Sequence, residues 1–285
     1  MERISKRFKK IFEFFQKKRK LKVGLALGSG GLWGLAHIGV LKVLEENNIS
    51  IDYIAGSSMG AIIGALYSLN PNVKELEERA FSLTKKDLTK LIDLNIPKVS
   101  LIKGDKVRSF LKNLIGNRTF LDTKIPLAIV TTDLKTGKEV VIKEGKLINA
   151  IMASISIPGV FPPIKSQEGL LVDGGLINPT PVNVAREMGS DVVIGVDLTM
   201  KSKTELKNPN IFQILMRSYE ILRTQSTKFN IDENDENLLI IKPDTTKLRK
   251  FKFYETQKFV KEGERVARNS FPAIKKLIKI SKSKK

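Results

Sequence analysis

Cysteine is absent from this sequence, and histidine occurs once, at His37. The first absence removes disulfides, thiol nucleophiles and thiolate metal sites together, and fits a reducing compartment. The second means that a zinc site or a Ser-His-Asp triad would have to be built on His37. Acidic residues are also scarce: 30 Asp and Glu stand against 50 Lys and Arg, a formal net charge of +20. Such a chain is drawn to anionic partners, whether lipid, nucleic acid or acidic substrate. No apolar run approaches the roughly 20 residues that span a bilayer. The cluster Ile11 to Phe15 is broken by Glu13 and followed by Lys17, Lys18, Arg19 and Lys20, which does not suit a signal peptide. A cytoplasmic protein is expected, peripheral at most on the inner face of the membrane.

What is present is patterned. The 41% hydrophobic content of 285 residues is enough for a sizeable core. Residues 1–20 place Ile4, Phe8, Ile11, Phe12 and Phe15 at helical spacing among Arg and Lys. That is a basic amphipathic helix, which suits either docking on the chain's own core or lying in the plane of an anionic membrane. Beyond it, apolar strand-like runs at Leu21–Leu27, Ile51–Ala55, Leu127–Thr132, Glu139–Lys143, Leu170–Val172, Val192–Val196 and Leu238–Ile241 alternate with helical stretches. The alternation predicts one α/β domain of three layers, α/β/α, with a mostly parallel central sheet. Residues 1–20 would be its arm, 21–200 its core, and 201–285 a helical part completing the same domain, with a basic tail from Lys275.

Chemistry concentrates in strand-to-helix loops. Gly56-Ser57-Ser58-Met59-Gly60 centres a serine in G-x-S-x-G between a predicted strand and a predicted helix. Flanking glycines let strand and helix approach, and the hydroxyl projects at the positive end of the helix dipole. Ser58 is thus a candidate nucleophile; the competing reading is a phosphate-binding or plain tight turn. Such a hydroxyl needs a base within reach. His37 sits in the apolar stretch Leu35 to Leu44 and reads as a structural residue. Asp173, in Leu170-Leu171-Val172-Asp173-Gly174-Gly175, follows an apolar strand and can act directly if it is held against the serine, although Asp-Gly-Gly is also an ordinary turn. The loop Gly28-Ser29-Gly30-Gly31-Leu32-Trp33-Gly34 exposes backbone amides suited to a phosphate or an oxyanion. A dinucleotide site expects an acidic residue at the end of the second strand, where Ala55-Gly56 stands instead, and no Gly-Lys-Ser/Thr follows the glycines.

These three motifs, in this order, resemble the patatin-like phospholipase family over roughly residues 21–200. Ala36-His37-Ile38-Gly39-Val40-Leu41 and Ala153-Ser154-Ile155-Ser156-Ile157-Pro158-Gly159 add to the likeness. The resemblance implies a patatin-like fold and a Ser-Asp dyad without histidine, with Ser58 as nucleophile, Asp173 as general base, and the amides around Gly30 and Gly31 as the oxyanion hole. It implies a lipid acyl hydrolase, of phospholipase A, lysophospholipase or esterase type, working through an acyl-enzyme and without cofactor or metal. Its partners would be a phospholipid or other lipid ester and, through residues 1–20, an anionic membrane surface, with no nucleic acid. Two positions depart from the common motif: Ser29 replaces a frequent glycine, and Trp33 stands where Arg or Lys is usual. The second departure leaves open a catalytically weak, lipid-binding relative that keeps the fold. Head group, chain length and oligomeric state are not legible.

Overall fold

The computed structural model describes residues 20–93, 100–199, 208–232, 234–248, 250 and 252–283. The amphipathic helix expected over residues 1–20 lies outside them, apart from Lys20. Among the described residues the strands are β1 Val23–Leu27, β2 Tyr53–Ser57, β3 Leu127–Asp133, β4 Glu139–Ile142, β5 Ile164–Ser166, β6 Gly169–Asp173, β7 Val192–Val196 and β8 Leu238–Ile241. The helices are α1 Ala36–Glu46, α2 Met59–Leu69, α3 Val73–Ser82, α4 Lys85–Lys90, α5 Asp105–Ile115, α6 Leu147–Ser154, α7 Val182–Glu187, α8 Ile211–Asn230, α9 Thr245–Leu248 and α10 Thr256–Ser283.

β1, β3 and β7 are buried along their whole length, as befits strands covered on both faces. β3, β2, β1, β7 and β8 lie side by side and parallel, while β4, β5 and β6 add antiparallel pairings beyond β3. Strand alternation sends Leu25, Leu27, Ile54 and Ile129 into the larger core with α1, α2, α6 and α10. It sends Ala26, Ala55, Ala128 and Val130 to the smaller core with α7. The architecture is therefore three layers, α/β/α, with a mostly parallel sheet. β5, absent from the sequence reading, is a short, mostly exposed hairpin partner of β6 and shows no burial period to read.

α10 crosses α1 with the two backbones in contact. A Cβ on Gly263 would lie 1.9 Å from the Ala36 carbonyl oxygen, and one on Gly39 would lie 2.0 Å from that of Val260. Glycine at both positions is what permits the crossing.

The pairings on β3 place the site. β4 pairs with Ile129 to Thr132 and takes up one edge. β2 pairs with Ile54↔Leu127 through Ser57↔Val130, and β6 pairs with Thr131↔Asp173 through Asp133↔Leu171, so both must lie along the other edge. β2 and the oppositely directed β6 therefore meet end to end, with Ser57 and Asp173 opposite consecutive residues of β3.

Candidate active site

Just past Ser57 the chain turns sharply into α2. Ser58 adopts φ 54° and ψ −120°, a region that side chains other than glycine rarely enter. The neighbouring glycines allow it: a Cβ on Gly60 would lie 2.0 Å from the Leu27 carbonyl oxygen, and one on Gly56 would lie 2.6 Å from that of Gly60. Ser154, at the end of α6, secures the turn by accepting the Ser58 backbone N–H at 2.8 Å and donating to the Val130 carbonyl at 2.7 Å.

The Ser58 hydroxyl donates to Asp173 Oδ2 at 2.8 Å, and both residues are buried. Asp173 Oδ1 accepts the Gly175 N–H at 2.7 Å, and the Thr132 hydroxyl donates to the Asp173 carbonyl at 3.0 Å. Burial pushes the Asp173 carboxyl above the usual carboxylate range. The Gly175 amide, the Ser58 hydroxyl, the Arg223 charge and the Tyr219 hydroxyl all pull it back towards the ionised form. The Tyr219 hydroxyl lies near that carboxylate and is itself raised well above the ordinary phenol value by burial and then by the Asp173 charge.

The glycine loop lies against the same turn. A Cβ on Gly34 would fall 2.3 Å from Met59 Cγ, so the loop and the start of α2 are in contact. Gly28 and Ser29 donate their amides to Val196 and Pro179, whereas among the described residues those of Gly30 and Gly31 donate to no backbone carbonyl. Gly31 has φ 52°. Arg223, buried in α8, donates to the Ser29 carbonyl and lies 5.7 Å from the Tyr219 ring centre. Trp33 is partly buried against the larger core, and its backbone N–H donates to the Gly30 carbonyl at 3.1 Å.

His37 does not join the pair. Its Nε2 is 2.7 Å from the Gly28 carbonyl, and burial lowers its pKa to about 4, so it is neutral and donates to that carbonyl. It braces the glycine loop. Among the described residues no group of three or more His, Asp or Glu could hold a metal ion, and no helix is long and apolar enough to cross a membrane.

From Ser58 and Gly31 an apolar cavity of about 520 Å³ runs between α2 and α5, lined by Ile62, Leu66, Phe110 and Leu114. Its volume lies in the range of small-molecule sites. At the far side Leu66, Leu76, Arg79 and Leu114 also line a second, more polar pocket of about 540 Å³.

Comparison with known proteins identifies the family. The profile of the patatin-like phospholipase family matches residues 25–186. This chain belongs to that family. An uncharacterized NTE family protein of Mycobacterium tuberculosis is 38% identical to this patatin-like chain over 177 residues, covering 62% of it and 49% of the mycobacterial protein. Patatin-like phospholipase domain-containing protein 7 of Rattus norvegicus is 35% identical over 192 residues, covering 65% of the chain and 14% of the rat protein. The chain thus spans about half the length of the first relative and a small part of the second. Among solved structures, VipD from Legionella pneumophila superposes with a TM-score of 0.58 at 13% identity, over 92% of this chain and 67% of that one. At that identity the likeness concerns the fold.

Tyr219 and Arg223 lie beyond the part of this patatin-like chain that matches the family profile, and the sequence reading missed them. The signal was there: Tyr219, Arg223 and Thr227 recur every four residues in a helix whose other positions include many large apolar residues, a polar stripe with a buried destination.

Proposed function

We propose that this chain is a lipid acyl hydrolase that cleaves carboxylic esters with a Ser58–Asp173 dyad. The observation that carries the reading is the 2.8 Å hydrogen bond from Ser58 to a buried carboxylate, at one end of an apolar cavity suited to an acyl chain. In the first step Asp173 Oδ2 takes the hydroxyl proton while Ser58 Oγ bonds to the ester carbonyl carbon. The carbonyl oxygen becomes an oxyanion, received by the uncommitted amides of Gly30 and Gly31 and by the positive end of α2. The C–O bond to the alcohol then breaks, and Asp173 returns the proton to the leaving oxygen. Water repeats the sequence on the acyl-enzyme: Asp173 accepts its proton, the carboxylic acid departs, and Ser58 recovers its hydrogen.

The family membership supports a lipid substrate. The apolar lining supports an acyl group as the part that is buried, with the head group outside. Residues 1–20, basic and Phe-rich, supply an attraction to anionic membrane.

The test is release of p-nitrophenol from short- and medium-chain esters by the wild type, Ser58→Ala and Asp173→Asn, each checked for folding by circular dichroism. Both variants are expected to lose turnover by roughly 10³-fold or more. Retained turnover in Ser58→Ala rejects the dyad. A folded wild type that turns over no ester, short or long, favours the alternative of a lipid-binding protein that keeps the fold.

A further inference from the structure

Two neighbouring stripes of α8 differ in character. One stripe is committed to the site: the Tyr219 hydroxyl lies near Asp173, Arg223 donates to the Ser29 carbonyl, and the Ser226 hydroxyl donates to the Leu176 carbonyl at 2.9 Å. A flank of the helix beside these contacts is apolar and in solvent. Ile211 is 76% exposed, Leu222 54% and Phe229 90%, and spacings of eleven and seven residues put the three on one line along the helix. Of the thirteen large apolar side chains exposed among the described residues, seven belong to this helix. So much apolar surface on one element marks a contact site.

We infer that the outer face of α8 is a docking surface for an anionic lipid bilayer, which it holds next to the catalytic pair. The inference rests on the hydrolase reading for its purpose but not for its physics. Charge decides between a bilayer and a second copy: at +20 each, two chains repel, whereas an anionic surface attracts. On α8 itself Lys228 lies exposed near the end of the helix, a basic residue close to the apolar stripe. Residues 1–20 are also basic and are drawn to the same anionic surface.

Geometry supplies the reason for the location. A helix with its side chains is about 10 Å across. A bilayer touching this apolar stripe of α8 therefore lies within about one helix diameter of the Tyr219 and Asp173 side chains, close enough for a lipid to reach Ser58 with little travel through water. Helix α8 is in this view both a wall of the site and its lipid contact.

The experiment is flotation with vesicles of phosphatidylcholine and phosphatidylglycerol at 3:1, using the whole 285-residue chain in the Ser58→Ala background so that binding is read whether or not the chain is a hydrolase. The triple variant Ile211→Ser/Leu222→Ser/Phe229→Ser is expected to partition onto vesicles roughly tenfold or more less than its parent, as less apolar surface leaves water. Leu134→Ser, on an exposed turn elsewhere, serves as control and is expected to match the parent. Unchanged melting temperatures establish that the variants are folded. Flotation of the triple variant equal to the parent overturns the inference. So does a parent that never floats, a parent dimer that the substitutions dissociate without changing flotation, or binding that depends solely on residues 1–20.

Discussion

The Ser154 hydroxyl oxygen accepts the backbone N–H of Ser58 at 2.8 Å and hands its own proton to the Val130 carbonyl at 2.7 Å. One side chain thereby ties the strained turn to the middle of the sheet. It also takes the Ser58 amide out of use, whereas among the described residues the amides of Gly30 and Gly31 donate to no backbone carbonyl, in keeping with the oxyanion role proposed for them. Removing the hydroxyl leaves a buried N–H and a buried carbonyl unpaired, at a cost of about 1–3 kcal/mol. Ser154→Ala is expected to lower stability by that amount in urea denaturation and to lower kcat as the turn relaxes. Ser154→Thr, which keeps the hydroxyl, should recover most of both.

Activity should fail on the acid side above the usual carboxylate range. Burial raises the Asp173 pKa, and protonated Asp173 cannot take the Ser58 proton. Turnover is therefore present above the raised pKa and lost as pH falls through it. Tyr219→Phe removes one of the groups that favour the ionised form, so its acid limb should move to higher pH, with kcat reduced and KM little changed. A pH profile of kcat with a soluble ester reads this directly; an unmoved limb denies Tyr219 any part in holding the base.

Stability should carry a histidine signature of its own. The folded pKa of His37 is depressed from 6.5 to about 4 by burial, so below about 6.5 the unfolded chain binds a proton that the folded chain refuses. The stability is present above 6.5 and is lost progressively as pH falls towards 4, by up to roughly 3 kcal/mol. In His37→Gln, whose amide can still donate to the Gly28 carbonyl, urea denaturation between pH 4 and 6.5 should show a flatter dependence.

Cavity length should set acyl preference. Leu114 lines the cavity where it adjoins the polar pocket, and Leu114→Trp fills that far end. The ratio of kcat/KM for dodecanoyl over butanoyl esters is expected to fall roughly tenfold, since the longer chain loses apolar burial that the shorter never had. An unchanged ratio would place the acyl chain elsewhere.

Gly263→Ala tests the crossing of α1 and α10. Its added Cβ would lie 1.9 Å from the Ala36 carbonyl oxygen, and backbone on both sides leaves little room to relax. A loss of about 1–3 kcal/mol is expected, read as a lower urea midpoint.

Much of this was legible in the residues alone. Apolar strands alternating with helices predicted the layered α/β architecture because burial on both faces demands continuous runs such as Val192–Val196. Gly56 and Gly60 were readable because close backbone approach admits no other residue, and the added-Cβ distances show that approach. What escaped reading were interactions between residues distant in sequence. Nothing local in the stretch around Tyr219 announces that its hydroxyl will meet Asp173, or that Arg223 will meet Ser29.

By itself, then, the sequence determined the strand-helix alternation, the glycine-permitted turns and the candidate residues, because propensity, periodicity and steric tolerance act over a few neighbouring positions. The tertiary structure alone decided that β2 and β6 meet end to end on one edge of β3, which brings Ser58 to Asp173. It also decided that His37 braces a loop, and that α8 supplies both partners to the site and an apolar face to solvent. Those outcomes depend on strand register and helix packing, which arise from the whole core closing at once.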